Sequence, residues 1–206
     1  MRAATLLFLV YLPYYLNDFA NIFISDYTTW VVLDYAVRLA ILGFLLLRLR
    51  RGAVTRDQLG LGVPPLTDMI LWTVGTGAAA MAYLGLSEFV LAPWFPSGSL
   101  GGVPLDAGSP LFAFDATAGL ALVALSEEVV CRGLTLSVLR GRMSTPWLYV
   151  ASALLFSLMH WSLSAHTLVD AFVYGVILVP AVLATGSIWP GVVVHFLVNF
   201  VLYHMG

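Results

Sequence analysis

Two adjacent glutamates, Glu127 and Glu128, sit in the middle of the apolar run Ala121-Leu-Val-Ala-Leu-Ser-Glu-Glu-Val-Val-Cys-Arg132. The chain has only three glutamates in all. Ionisable groups inside an apolar helix are costly, and within a membrane span they mark function by default. Helix geometry gives the two acids different surroundings. Glu128 and Arg132 are four residues apart, with the acid first, so they share a face and can form an internal ion pair. Glu127 points about 100° away and has no such partner in its own helix. That leaves it available as a general acid or base. One carboxylate satisfies Arg132, so a reading in which both acids only join helices leaves Glu127 unexplained.

Two later apolar runs carry further polar groups. Phe156-Ser-Leu-Met-His160 ends in a histidine, and His195-Phe-Leu-Val-Asn199 holds a histidine and an asparagine one turn apart. Taken alone, His160 reads as a packing residue. Taken alone, His195 and Asn199 read equally as an interhelical polar clamp, a device membrane helices use. Being four apart they can aim at one point, and both can donate to a developing oxyanion. Together the three runs supply a base, a proton partner and an oxyanion site. Other polar residues carry less. Asp34 and Arg38 are spaced to pair within their own helix, and Asp115 and Asp170 are expected near span ends, in contact with water. His166 and His204 fall near the outer boundary. Cys131, the sole cysteine, has no histidine nearby in its helix and is expected to pack.

The elements that must position these groups are membrane helices. Hydrophobic residues make up 61% of the 206-residue chain and charged residues 10%, against about a quarter charged in a soluble domain. The mean hydropathy is +0.95. A span needs about 20 mostly apolar residues. Seven stretches qualify: Ala3–Phe23, weakened by Pro13, Asn17 and Asp18, then Thr29–Leu47, Thr67–Leu91, Leu111–Leu139, Trp147–Leu163, Leu168–Thr185 and Gly191–Tyr203. Strand-like alternation is absent, so the expected fold is an all-α polytopic bundle of about seven spans. It forms a single membrane domain over 1–206, with its chemical half at about 111–206. Gly186-Ser187 and Trp189-Pro190-Gly191 are expected to break the chain before the last helix, and Gly75 and Gly77 to allow close packing. The opening Met1-Arg2 and apolar run read as a retained span rather than a cleaved leader.

All nine basic residues are arginine. They cluster at Arg48–Arg56 and Arg140–Arg142, which the positive-inside rule places in the cytoplasm, with the Pro/Gly-rich stretch 92–110 outside. Arg2 agrees with an inside N-terminus. By the same count Glu127 lies about 18 Å from the cytoplasmic loop, but His195 only about 8 Å beyond Pro190. The segment 185–190 must therefore dip into the protein, or the span ends are misplaced. No basic stripe suggests nucleic acid, and one cysteine excludes an internal disulfide.

Glu127-Glu128-x-x-x-Arg132, Phe156-x-x-x-His160 and His195-x-x-x-Asn199, in that order and each in an apolar run, resemble the CAAX-processing and bacteriocin-processing (CPBP, or Abi) intramembrane proteases. Thr185-Gly-Ser-Ile-Trp-Pro190 and Gln58-Leu-Gly-Leu-Gly62 resemble the family more faintly. The resemblance covers about residues 120–200 and implies a glutamate-dependent endopeptidase without a cofactor or metal. It implies that Glu127 and His160 activate water, that His195 and Asn199 form the oxyanion hole, and that Glu128, Arg132 and Phe156 support the site. The implied partner is a membrane-associated protein or peptide, cut in a bacterial inner membrane. The residues alone also allow a zinc protease, although no His-Glu-x-x-His is present, a proton-coupled transporter, or a non-catalytic scaffold.

Overall fold

A computed structural model describes residues 3–205; Arg2, which the orientation reading used, lies outside them. The described chain is all-helical, and its only strand-like contacts are isolated bridges. Each of the seven predicted stretches forms a helical rod. They are α1 (Ala3–Ala20), α2 (Tyr27–Arg50), α3 (Leu66–Leu86), α4 (residues 112–139), α5 (Thr145–Ser157), α6 (Ala165–Thr185) and α7 (Trp189–Met205). Three helices, Tyr27–Arg50, Leu66–Trp94 and Ala165–Thr185, are long and apolar enough to cross a membrane. The last, Trp189–His204, is apolar but shorter.

Local chemistry sets several ends. Asp26 caps α2 by accepting from the Thr29 amide at 2.7 Å, and the bonds from Thr29 hold its carboxyl below the usual range. Ser164 caps α6 in the same way, from the Thr167 amide at 3.1 Å. Gly186 ends α6 in the left-handed conformation, at φ 68°, which glycine adopts without a Cβ penalty. The expected break before the last helix is therefore shorter than the sequence suggested. Trp189, Pro190 and Gly191 already belong to the first turn of α7, where proline costs no hydrogen bond.

The fourth stretch is not one regular helix. Within α4, π-helical turns at Asp115–Gly119 and Val129–Leu134 flank the α-helix Leu120–Glu128. Such turns are rare and recur at functional sites. The second begins directly after the glutamate pair. A third, Ser87–Leu91, extends α3.

Close approach holds the bundle together. A Cβ on Gly175 of α6 would lie 2.8 Å from the Ala153 Cα of α5, so only glycine lets these backbones meet. Gly133 in the second π turn of α4 meets the Leu59 backbone with no room for a side chain. The Leu59 turn also touches the segment before α7, because the Ile188 amide donates to the Gly60 carbonyl at 2.9 Å. The two fainter sequence signals, 58–62 and 185–190, thus meet in space. Ser187, Ile188 and Pro190 are buried, so this segment does dip into the protein. Of the two glycines in α3, Gly77 faces Val194 at an ordinary 3.6 Å, while a Cβ on Gly75 would meet open space.

Charged and apolar side chains are distributed inside-out. Arg38, Asp34, Asp115, Glu127, Glu128 and Arg132 are buried, whereas Phe8, Leu16, Ile70, Leu71, Val74 and Leu154 are exposed. An apolar exterior of this extent does not suit water; a hydrocarbon surrounding matches it. Asp115 corrects the expectation of a solvated acid. It is 1% exposed and accepts hydroxyl hydrogen bonds from Tyr27, Tyr35 and Tyr203, tying α2 and α7 to α4. Asp170 is also partly buried, held by Tyr83 and Ser87. Both are satisfied by hydroxyl donors from other helices, which spacing along one helix does not show.

Candidate active site

Glu127 and Glu128 close the α-helical part of α4, and both are buried. As the spacing required, Arg132 Nη1 lies 3.0 Å from Glu128 Oε1, with both side chains fully buried. The guanidinium also stacks on Phe156 of α5, its central carbon 4.1 Å from the ring centroid. That is close range for a cation–π contact. The edges of His160 and His195 meet the same ring, at centroid distances of 5.2 and 5.6 Å. Phe156 is thus the common floor on which Arg132 and both histidines rest.

His195 brings the two glutamates together from α7. Its Nδ1 is 3.0 Å from Glu128 Oε1, and its Nε2 is 3.6 Å from Glu127 Oε2. Asn199 lies one turn further along α7 and lines the same cavity as Glu127, His160 and His195. The cavity has a volume of about 470 Å³. Glu128 does not line it, being fully enclosed behind His195 and Arg132. Gly191, in the first turn of α7, lets Glu128 in: a Cβ there would stand 2.9 Å from Glu128 Oε2. Neither Glu127 Oε2 nor Glu128 Oε2 has a hydrogen-bond partner among the described residues.

His160 ends the short 3-10 turn Leu158–His160 that follows α5. Its Nδ1 is 3.2 Å from the Phe156 carbonyl, which fixes the ring through one nitrogen. The turn that follows is gripped from α1. Asp18, only 3% exposed, accepts from the Ser162 amide at 2.6 Å and from its hydroxyl at 2.9 Å. In sequence Asp18 merely weakened the first span; here it anchors the turn after His160.

The larger omission of the sequence reading is Arg38. It does pair with Asp34, from Nε to Oδ2 at 2.7 Å. It also extends Nη1 to Glu127 Oε1 at 2.5 Å. Glu127 therefore has a cationic partner, supplied by α2 rather than by its own helix. The only signal for it was that one aspartate leaves part of a five-donor guanidinium unused. Asn17 donates to Asp34 at 2.8 Å. A continuous polar chain thus runs from Asn17 through Asp34, Arg38, Glu127, His195 and Glu128 to Arg132. Cys131 is buried and packs against Met159, with the sulfurs 3.6 Å apart, as expected of a structural thiol.

This arrangement holds one carboxylate oxygen, Glu127 Oε2, and one ring nitrogen, His195 Nε2, beside a cavity, with neither atom hydrogen-bonded elsewhere among the described residues. A water molecule can bridge two such atoms. Residues 109–201 match the family model described as type II CAAX prenyl endopeptidase, Rce1-like. That stretch contains every motif position from Glu127 to Asn199. No curated protein and no solved structure matches the chain.

Proposed function

From the Rce1-like character of residues 109–201, we propose that the chain is a multi-pass intramembrane endopeptidase of the glutamic type. In this reading it matures a membrane-associated protein or peptide near its C-terminal or leader segment, in a bacterial inner membrane. The observation that carries the mechanism is the approach of His195 Nε2 to the unpartnered Oε2 of Glu127, at 3.6 Å beside the cavity.

Glu127 is the base. Arg38 fixes its Oε1 at 2.5 Å, which leaves Oε2 to take a proton from water. His160, lining the same cavity, helps to orient that water. The hydroxide attacks the peptide carbonyl without a covalent enzyme intermediate, and Glu127 returns the proton to the leaving amine. Asn199 donates to the oxyanion, and His195 joins it through Nε2–H in the doubly protonated form, since Glu128 accepts from Nδ1–H. Glu128 takes the Nδ1 side of His195 at 3.0 Å, which turns Nε2 toward Glu127 and the cavity. Arg132 and Phe156 hold Glu128 and the rings in place. The Arg-rich loops face the cytoplasm and the stretch 92–110 faces outward.

The test is cleavage by detergent-purified protein, beside Glu127→Ala, of peptides with prenylated C-termini or short hydrophobic C-terminal anchors, with and without chelator. Cleavage that resists chelation and disappears in the variant supports the reading. Turnover by Glu127→Ala at the wild-type rate would sink it.

A further inference from the structure

Glu88 is the one glutamate outside the pair, and it stands in the π turn Ser87–Leu91 that extends α3. Across from it, His166 and Asp170 lie one turn apart on α6. One ligand atom from each of the three residues lies within 4.8 Å of the others, and all three residues line the cavity. We propose that Glu88, His166 and Asp170 bind a single first-row divalent cation of the zinc class, separate from the proteolytic groups.

Charge is the first argument. Two carboxylates converge here, yet among the described residues no arginine pairs with either, and His166 is the only basic group between them. A divalent ion neutralises both acids in a region walled by apolar helices. The arrangement of donors is the second argument. Tyr83 and Ser87 both donate to Asp170 Oδ1, at 2.7 and 2.5 Å. That occupies one carboxylate oxygen and turns Oδ2 toward His166 Nε2, 3.4 Å away; the same nitrogen is 2.8 Å from Ser87 Oγ, a hydrogen bond the ion would replace. Hydrogen bonds of this kind orient the carboxylates that ligate metals. The His166 ring lies tilted against Phe95, with centroids 5.2 Å apart. Glu88 has no hydrogen bond or ion pair among the described residues and completes the set. One imidazole nitrogen and two carboxylate oxygens, with positions left for water on the cavity side, suit zinc and its neighbours better than magnesium or calcium. The alternative for these residues is a polar clamp between α3 and α6 that needs no ion.

Cobalt(II) reports the difference because its visible absorption depends on its ligands. Chelator-stripped protein in detergent is titrated with Co²⁺ alone and then with Zn²⁺. The expected result is one saturable Co²⁺ per chain, displaced by Zn²⁺. Glu88→Gln and Asp170→Asn should each weaken binding at least about tenfold, Ser87→Ala about tenfold, and Glu127→Gln not at all. No saturable ion in a wild-type protein that unfolds cooperatively would mean a polar clamp only and overturn the proposal. So would binding that survives the first two substitutions and is lost in Glu127→Gln. Proteolysis is not the readout, so failure of the endopeptidase reading and failure of this site are separate results.

Discussion

Arg38 and Glu127 are 89 residues apart in sequence, and their side chains meet at 2.5 Å. The contact joins α2, which lies outside the matched stretch 109–201, to the acid on which the proposed chemistry depends. Helix α2 is therefore part of the candidate site and not merely its scaffold.

Replacing Arg38 with alanine leaves Asp34 and Glu127 as buried acids without their guanidinium. Removing one partner of a buried pair typically costs about 3–5 kcal/mol. Thermal unfolding in detergent should fall by several degrees, and Arg38→Lys should recover only part of that. An unchanged midpoint for Arg38→Ala would show that this pair does not hold α2 against α4.

The two glutamates should separate by substitution. Glu127→Gln is expected to lower cleavage by about 10²–10⁴-fold, the usual range for a general base, and to lower the unfolding temperature less than Glu128→Gln does, because Arg38 keeps Asp34 as a counter-ion. Glu128→Gln removes the carboxylate beside the enclosed Arg132, so it should lower both activity and stability. Equal unfolding temperatures in the two variants would contradict the division of roles.

Gly191 and Gly77 form a steric pair of tests. At Gly191 an added methyl would stand 2.9 Å from Glu128 Oε2, whereas at Gly77 it would meet Val194 Cγ2 at 3.6 Å. Gly191→Ala should displace Glu128, weaken its hold on His195 and reduce cleavage at least tenfold. Gly77→Ala should remain near wild type. Comparable activity in both would show that the approach of α7 to Glu128 is not what sets the His195 position.

Phe156 touches three partners, Arg132 over its face and His160 and His195 edge-on. Phe156→Ala should cost about 3–5 kcal/mol of stability through the cavity it leaves. Phe156→Leu keeps most of the volume but not the ring, so it should recover stability without full cleavage. If Phe156→Leu cleaves at the wild-type rate, the ring acts by volume alone.

Asn199→Ala removes one proposed oxyanion donor. The expected loss is about 10²–10³-fold in kcat, with KM little changed. A rise in KM at constant kcat would instead make Asn199 a substrate-binding residue.

Sequence alone carried the helical content, the Glu128–Arg132 pair and the three polar runs, because each depends on spacing along one chain segment. Composition alone implied the apolar exterior. The Glu127–Arg38 pair, the grip of Asp18 on the turn after His160, and the burial of Asp115 under three tyrosines were not legible. Each joins groups 80 to 144 residues apart, and such contacts depend on how helices pack, not on periodicity. The π turns were hidden for a related reason. An α-helix admits the extra residue only where packing stabilises it, as where Gly133 receives the Leu59 backbone. Sequence determined which residues must leave water and which among them could react. Tertiary structure decided which buried charges met, because in a low-dielectric interior each must find its partner on whichever helix lies within reach.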